Sequence, residues 1–130
     1  MRVLALADDL SGANEVAAVL AALPQHADGD PVRDAPSVSA TVRLATGPGS
    51  PDDAAVTVVN TDTRRGTPAE AADRLRAVLT AQPTGPGRAL FLKFDSLLRG
   101  PIGPQLQGAQ DVAPVLFCPA VPALDRTVRD

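Results

Sequence analysis

The side chains best able to do chemistry lie close together in the segment LFLKFDSLLRGPIG, residues 90–103. Lys93, Asp95, Ser96 and Arg99 fall within seven residues, directly after an apolar run. A buried strand that ends in a polar loop before a helix is where open α/β sheets hold their ligands. Lys93 is also the only lysine beside eleven arginines, which favours a place that needs a compact ammonium. The segment is therefore a candidate site.

Two more polar loops follow apolar runs that are typical of buried strands. Asp8 and Asp9 come after the first run, in ADDLSGAN, and Asp62 and Arg64 come after a later one, in NTDTR. The carboxyl ends of parallel strands meet at one edge of a sheet, where ligands bind. We therefore expect the three loops to converge.

The residue types indicate what such a site would bind. Arginine pairs with a carboxylate through two parallel hydrogen bonds, and lysine adds a point charge. Aspartate accepts hydrogen bonds from hydroxyl groups, and an ionised aspartate within reach can take a hydroxyl proton as that oxygen attacks an electrophile. A small ligand that is both acidic and hydroxylated, such as a sugar acid, satisfies all of these groups.

Each pair of residues also has a purely structural interpretation. Asp8 or Asp9 could cap the first helix. Arg64 and Asp62 could form a surface ion pair, worth at most about 1 kcal/mol. Asp95 and Arg99 could fix a turn.

The elements that must position these loops alternate along the chain. An apolar face at helical spacing predicts a first helix after Asp9. A capping box from Thr67 to Glu70, with Pro68 at the first helical position, predicts a second helix that runs to Gln82. A shorter helix is expected at 101–111, with Ile102, Leu106 and Ala109 on its apolar side. Strands are predicted at residues 2–7, 40–45, 54–59, 89–92 and 114–118. This order predicts a three-layer, Rossmann-like α/β fold with a parallel sheet of about five strands, the strand at 89–92 being central and buried.

Composition excludes several classes of function. The 130 residues suit one domain, and a net charge of −3 with no Trp or Tyr argues against nucleic-acid binding. The chain has no glycine-rich dinucleotide or P-loop motif, and His26 has no cluster of metal ligands around it. Cys118, the only cysteine, is predicted to be buried. The first apolar run is too short for a signal peptide or a membrane span, so we expect a cytoplasmic protein.

Four motifs in this order resemble one known family. They are ADDLSGAN at 7–14, NTDTR at 60–64, LKFDSLLRGPIG at 92–103 and PAVPALDRTVRD at 119–130. Together they are similar to the N-terminal domain of the four-carbon acid sugar kinases, formerly a domain of unknown function. The sequence departs from the family pattern at Leu97, where a Thr is usual, and at Pro101, where an Asn is usual. These two changes put one hydroxyl contact and one amide contact in doubt.

The resemblance implies an activity that the residues alone do not. Members of the family use ATP to phosphorylate sugar acids such as threonate, erythronate or 3-oxo-tetronate. The N-terminal domain, here residues 1–130, would hold the sugar acid, and a C-terminal domain absent from this chain would hold ATP and Mg²⁺. The sheet is accordingly expected to be incomplete at its C-terminal end, and this chain alone is expected to be inactive.

The resemblance also assigns roles by motif position. The expected substrate-binding set is Asp8, Asp9, Asp62, Arg64, Lys93, Asp95, Ser96, Arg99 and Gly100. The carboxylate of the substrate is expected to bind Arg64, Lys93 and Arg99. The hydroxyl groups of the substrate are expected to bind Asp8, Asp9 and Asp95, and Asp9 or Asp95 is expected to be the catalytic base.

The partners expected are a sugar acid and a nucleotide-binding C-terminal domain or partner chain, with a second copy in a homodimer as a further option. No nucleic acid or membrane partner is expected. The alternative function is a stand-alone or truncated module that binds a small acid without catalysing a reaction.

Overall fold

The computed structural model describes residues 2–22, 39–44, 54–82 and 87–127 of the chain. Its strands are β1 (Arg2–Ala7), β2 (Ala40–Leu44), β3 (Val56–Asn60) and β4 (Arg88–Lys93). Its α-helices are α1 (Leu10–Ala22), α2 (Pro68–Ala81) and α3 (Ile102–Gln110), and a 3₁₀ turn follows at Pro122–Leu124.

The strands of the described residues form one parallel sheet in the order β2-β3-β1-β4. Helices cover both of its faces. Ala5 and Ala7 of β1 pack with α1, and Leu4 and Leu6 of the same strand pack with α2 and α3. Successive side chains of a strand point to opposite faces, so β1 contributes to both core layers. The predicted three-layer, Rossmann-like α/β fold is confirmed.

The start of α2 follows the predicted capping box. Thr67 Oγ1 accepts a hydrogen bond from the Glu70 backbone N–H at 3.3 Å, and the Thr67 backbone N–H donates to Glu70 Oε2 at 2.9 Å. Pro68 occupies the first helical position, where no intrahelical donor is needed. The hydrogen bonds from Thr67 lower the pKa of Glu70, which favours the ionised carboxylate in the capping box.

The sheet has four strands in the described residues, not five. The apolar run at 114–118 was predicted as a strand, but it pairs with no strand of the described residues, and Leu116 is 94% exposed. An apolar run becomes a strand only where a neighbour accepts its backbone hydrogen bonds, and Pro114 has no N–H to offer. Cys118, predicted to be buried within that strand, is exposed for the same reason.

The strand β4 lies at the edge of the sheet, which corrects its predicted central position. Leu90 is 36% and Phe91 47% exposed, whereas β3, between β1 and β2, is buried throughout. Both strands are apolar, so composition alone did not separate the edge from the interior.

The helix α3 buries Ile102 and Ala109, as predicted, but it buries Gln105 in place of the predicted Leu106. Gln105 is 1% exposed, whereas Leu106 is only partly buried. Pro104 is tolerated because it lies in the first turn, where backbone N–H groups have no intrahelical partner.

The contact between α2 and α3 depends on Gly108. A Cβ added there would lie 2.6 Å from the backbone oxygen of Ala72. We expect Gly108→Ala to lower the free energy of unfolding by about 1–3 kcal/mol in urea titrations, because the helices must separate. Gly103→Ala is the matched control in the same helix, because no described residue lies within 4 Å of the added Cβ. It is expected to be neutral or stabilising. Equal effects at the two positions would contradict the close approach.

Parts of three predicted connections lie outside the described residues, namely most of the loop at 24–39, which contains His26, the turn segment at 46–53, and residues 83–86. Among the described helices, none has the length and apolar character required of a membrane span.

Candidate functional site

The carboxyl ends of three parallel strands bring the predicted loops together. Ala7, the last residue of β1, is level with Asn60 of β3 on one side and with Lys93 of β4 on the other. The loops that follow therefore start side by side. We call this group of loops the polar rim: residues 8–15 after β1, 61–66 after β3, and 93–100 after β4.

Asp8 is the junction of the polar rim. Its backbone N–H donates to the Lys93 carbonyl at 3.2 Å, and its own carbonyl accepts from the N–H groups of Thr63 and Arg64, both at 3.0 Å. Its carboxylate accepts from the Asp95 N–H at 3.3 Å, and its side chain is 0% exposed. Asp8 thus joins all three loops from inside the protein and has no surface open to a ligand.

Arg64 neutralises this buried carboxylate. Its Nε and Nη2 donate to the two oxygens of Asp8 at 3.1 and 2.8 Å, and its Nη1 donates to Asp9 Oδ2 at 2.6 Å. The hydrogen bonds to Asp8 raise the pKa of Arg64, so its charge is permanent. The alternative pairing of Arg64 with Asp62 is wrong, because the fork is directed at Asp8 and Asp9.

Asp9 caps α1 as well as pairing with Arg64. Its Oδ1 accepts from the Gly12 N–H at 2.8 Å, as an N-cap carboxylate does at the third helical residue. Its side chain is 26% exposed, so unlike that of Asp8 it reaches the surface of the rim. The structural interpretation of Asp9 as a helix cap is therefore correct, and it leaves part of the carboxylate accessible.

Asp95 and Arg99 hold the loop after β4. Asp95 Oδ2 accepts from Arg99 Nε at 2.6 Å and from the N–H groups of Leu97 and Arg99 at 3.3 Å, and its Oδ1 accepts from Arg99 Nη2 at 2.9 Å. Asp95 Oδ1 also lies 3.8 Å from Arg64 Nη1. The turn interpretation is correct for this pair. The Arg99 side chain nevertheless stays 65% exposed, with its remaining N–H groups on the surface.

The electrostatic result is a carboxylate that keeps its charge in acid. Hydrogen bonds from the Arg99 side chain hold the pKa of Asp95 well below its usual range. Desolvation opposes this shift, while the Arg99 backbone N–H and the charge of Arg64 add to it. A group with a lowered pKa stabilises the fold above its unfolded-state pKa, about 3.9 for Asp, and loses that contribution as the pH falls through the folded-state value.

We therefore expect the ¹³C NMR titration of the Asp95 carboxyl to have its midpoint well below about 4. In Arg99→Gln the midpoint of the Asp95 titration should rise. The loss of stability caused by this substitution, measured by urea titration, should be smaller at low pH than at pH 7. Arg65→Gln removes the same charge from an exposed neighbour of Arg64 and should leave the Asp95 midpoint nearly unchanged. A midpoint near 4 in the unsubstituted chain would contradict the pairing.

Lys93 lies across the start of α1. Its Cγ is 3.5 Å from the position that a Cβ on Gly12 would occupy. Its Nζ donates to the Phe94 carbonyl at 3.1 Å and pairs with Glu15 Oε2 at 3.2 Å. Lys93 therefore belongs to the polar rim, as predicted, with Glu15 as a partner that the sequence did not suggest.

The remaining predicted residues, Gly100, Ser96 and Asp62, lie in the loops of the rim but have different environments. Gly100 has φ +94° and lies against the Arg64 backbone, where an added Cβ would be 2.8 Å from the Arg64 oxygen. Ser96 is exposed in the turn between Asp95 and Arg99. Asp62 is exposed with φ 50°, and its carbonyl accepts from Arg74 Nη1 at 3.2 Å.

A buried polar chain under the rim escaped the sequence analysis. Thr61 Oγ1 donates to the Ala7 carbonyl at 2.8 Å and lies 2.9 Å from Thr63 Oγ1, which contacts Gln105 Oε1 at 2.9 Å. All three side chains are 1% exposed or less. The only signal in the sequence was the spacing of Gln105 from Ile102, which puts both on one helical face.

A cavity of about 670 Å³ adjoins the rim along β4. Its walls are mostly apolar, formed by residues of β4 and of the segment 113–121, and Lys93, Asp95 and Ser96 line its polar end. A sugar acid has few apolar groups to bury, so only that polar end suits it.

Comparison with protein families identifies the chain. A family model described as a sugar-binding N-terminal domain matches residues 3–130. The chain belongs to this family, which comprises the N-terminal domains of the four-carbon acid sugar kinases. No curated protein matches the chain. The polar rim is thus a feature of a sugar-binding domain, and the resemblance read from the four motifs is confirmed.

Proposed function

We propose that this sugar-binding domain is the substrate-binding half of an ATP-dependent kinase that phosphorylates a four-carbon sugar acid of the threonate, erythronate or 3-oxo-tetronate type. One observation carries the proposal: the chain belongs to the sugar-binding family, and cationic and anionic side chains meet on the carboxyl edge of its sheet. That edge is where α/β sheets bind ligands. A cytoplasmic location is part of the same proposal.

The carboxylate of the ligand would bind the exposed cations of the rim. Arg99 uses Nε and Nη2 on Asp95 and is 65% exposed, which leaves N–H groups for an anion. Lys93 would add the second positive charge, and Ser96 and the N–H of Gly100 would add neutral donors. Arg64 would act mainly through the other residues, because most of its fork is occupied by Asp8 and Asp9.

Asp9 is the better of the two candidate bases. Its carboxylate is partly exposed and could accept the proton of a ligand hydroxyl as that oxygen attacks. Asp95 is a poor proton acceptor, since hydrogen bonds from Arg99 keep its pKa well below the usual range. We assign Asp95 to orienting Arg99 and Asp8 to joining the loops, with Asp62 at the outer margin of the site.

ATP and Mg²⁺ would be held elsewhere. Among the described residues no group of three His, Cys, Asp or Glu side chains is arranged to hold a metal ion. The rim carboxylates of Asp8, Asp9 and Asp95 are each bonded to an arginine. These residues do not fit Mg²⁺, so the proposal assigns the nucleotide and its metal to a C-terminal domain or partner chain.

Calorimetric titration of the chain with threonate and erythronate tests the proposal, with erythritol as the neutral counterpart. We expect the acids to bind and erythritol to bind more weakly. An acid at 100 times its dissociation constant should stabilise the fold by about 2.7 kcal/mol in a thermal-shift assay. Arg99→Gln should weaken acid binding, and Arg65→Gln, the control of equal charge change, should not. Equal binding of acids and erythritol would rule the proposal out.

A second function has support from the same contacts. Asp9 caps α1 and pairs with Arg64, so a module that binds a small acid without catalysing a reaction would also use these bonds. A coupled ATP assay separates the two. We expect the chain alone to be inactive and the chain with its nucleotide-binding domain to be active, Asp9→Asn being inactive but still able to bind acid. Binding of acid with no turnover in the presence of that domain would favour the binding module.

A further inference from the structure

Glu15 holds the one lysine of the rim. Its Oε2 lies 3.2 Å from Lys93 Nζ, and its side chain is 64% exposed at the second turn of α1. The stem of Lys93 passes Gly12, and the ammonium meets Glu15, three residues further along α1. Glu15 has no role in the sugar-acid proposal, whereas its partner Lys93 is one of the cations assigned to the ligand carboxylate.

The balance of charge in the rim gives this contact a consequence. Three rim cations, Arg64, Lys93 and Arg99, pair with four carboxylates, those of Asp8, Asp9, Glu15 and Asp95. Arg65 and Asp62 also lie in the rim and add one charge of each sign. The three paired aspartates are each tied to an arginine by hydrogen bonds of 3.1 Å or less. A ligand carboxylate would therefore meet a rim with one more negative than positive charge.

Glu15 is the carboxylate that can leave most easily. It is by far the most exposed of the four, and an exposed ion pair is worth only about 0.2–1 kcal/mol. If it swings towards solvent, Lys93 is left with the Phe94 carbonyl as its partner among the described residues and with donors for a new anion. The outgoing and incoming groups are both carboxylates, so the exchange keeps the geometry of the lysine.

We propose that Glu15 is a specificity-determining residue that competes with the ligand carboxylate for Lys93. A ligand carboxylate must displace Glu15 before it can bind the Lys93 ammonium, whereas a neutral polyol does not use this ammonium. Glu15 therefore sets how strongly the site favours acids over neutral polyols. This inference rests on the proposed function, since it takes a sugar acid as the ligand.

Titration calorimetry with threonate and with erythritol tests the inference on the full chain. We expect Glu15→Gln to bind threonate about 2–5-fold more tightly than the unsubstituted chain. This factor corresponds to the free energy of breaking an exposed ion pair, which the variant no longer has to spend. Erythritol affinity should not change. Asp73→Asn is the control, because Asp73 is an exposed residue of α2 that pairs with Arg76 away from the rim, and it should leave both affinities unchanged.

A double-mutant cycle shows whether Glu15 acts through Lys93. On the Lys93→Met background the gain from Glu15→Gln should vanish, whereas general charge repulsion would persist there. Threonate binding that is measurable but equal in Glu15→Gln and the unsubstituted chain would overturn this inference alone. The same holds for an equal gain with erythritol. Absence of acid binding in both proteins would overturn the proposed function together with the inference.

Discussion

Replacing Arg64 by methionine is expected to lower the free energy of unfolding by about 3–5 kcal/mol, the cost of leaving a buried charge without its partner. Asp8 is the reason, since its side chain is 0% exposed and receives two hydrogen bonds from the Arg64 fork. Urea titration at pH 7 measures the effect.

Three companion variants separate this mechanism from a simple loss of positive charge. Arg65→Met removes an exposed arginine next in the chain and should change stability by less than about 0.5 kcal/mol. Arg64→Lys keeps the charge without the fork and should give an intermediate value, which secures the test if Arg64→Met does not fold. Asp8→Asn combined with Arg64→Met should recover part of the loss. A loss below about 1 kcal/mol for Arg64→Met would mean that the pair behaves like a surface ion pair.

The second large effect is expected at Gly100. Its φ of +94° is unfavourable for a side chain, and an added Cβ would lie 2.8 Å from the Arg64 carbonyl oxygen. Backbone strain and overpacking together should lower the free energy of unfolding of Gly100→Ala by about 2–5 kcal/mol. Because the loop must move away from Arg64, acid binding by Arg99 should weaken as well.

Gly87→Ala is the matched control for Gly100→Ala. Gly87 has a similar φ of +85°, but no atom of the described residues lies within 4 Å of an added Cβ. Gly87→Ala should therefore cost about 1–2 kcal/mol from backbone strain alone and leave acid affinity unchanged. Urea titration and calorimetry of the two variants measure both effects. Equal losses of stability would show that the contact between Gly100 and Arg64 is unimportant.

The proposals for Glu15 and for the exposed cations have a common physical basis. Three of the rim carboxylates are committed to arginines that hold the loops, so the acceptor and donor groups left for a ligand come from partly exposed residues. Asp9 and Arg99 each keep one part of the side chain in the framework and another at the surface. Stability and binding are therefore expected to be lost together at Arg64 and to separate at Glu15.

The sequence by itself determined the order of elements and the meeting of the loops. Apolar runs, the capping box at Thr67 and polar residues after each strand are local patterns, and parallel pairing then brings Asp9, Arg64 and Lys93 to one edge. Four motifs in order were enough to indicate the family, which the match over residues 3–130 confirms.

Only the tertiary structure decided which polar groups are buried and which strands are paired. Asp8 and Asp9 are adjacent and chemically identical, yet the loops after β3 and β4 close over Asp8 and leave Asp9 partly exposed. The apolar runs of β4 and of residues 114–118 resemble buried strands. In the part of the chain that the structure describes, however, β4 is an edge strand and the second run is unpaired. Burial and pairing depend on neighbours that are distant in the chain, and local composition carries no record of them.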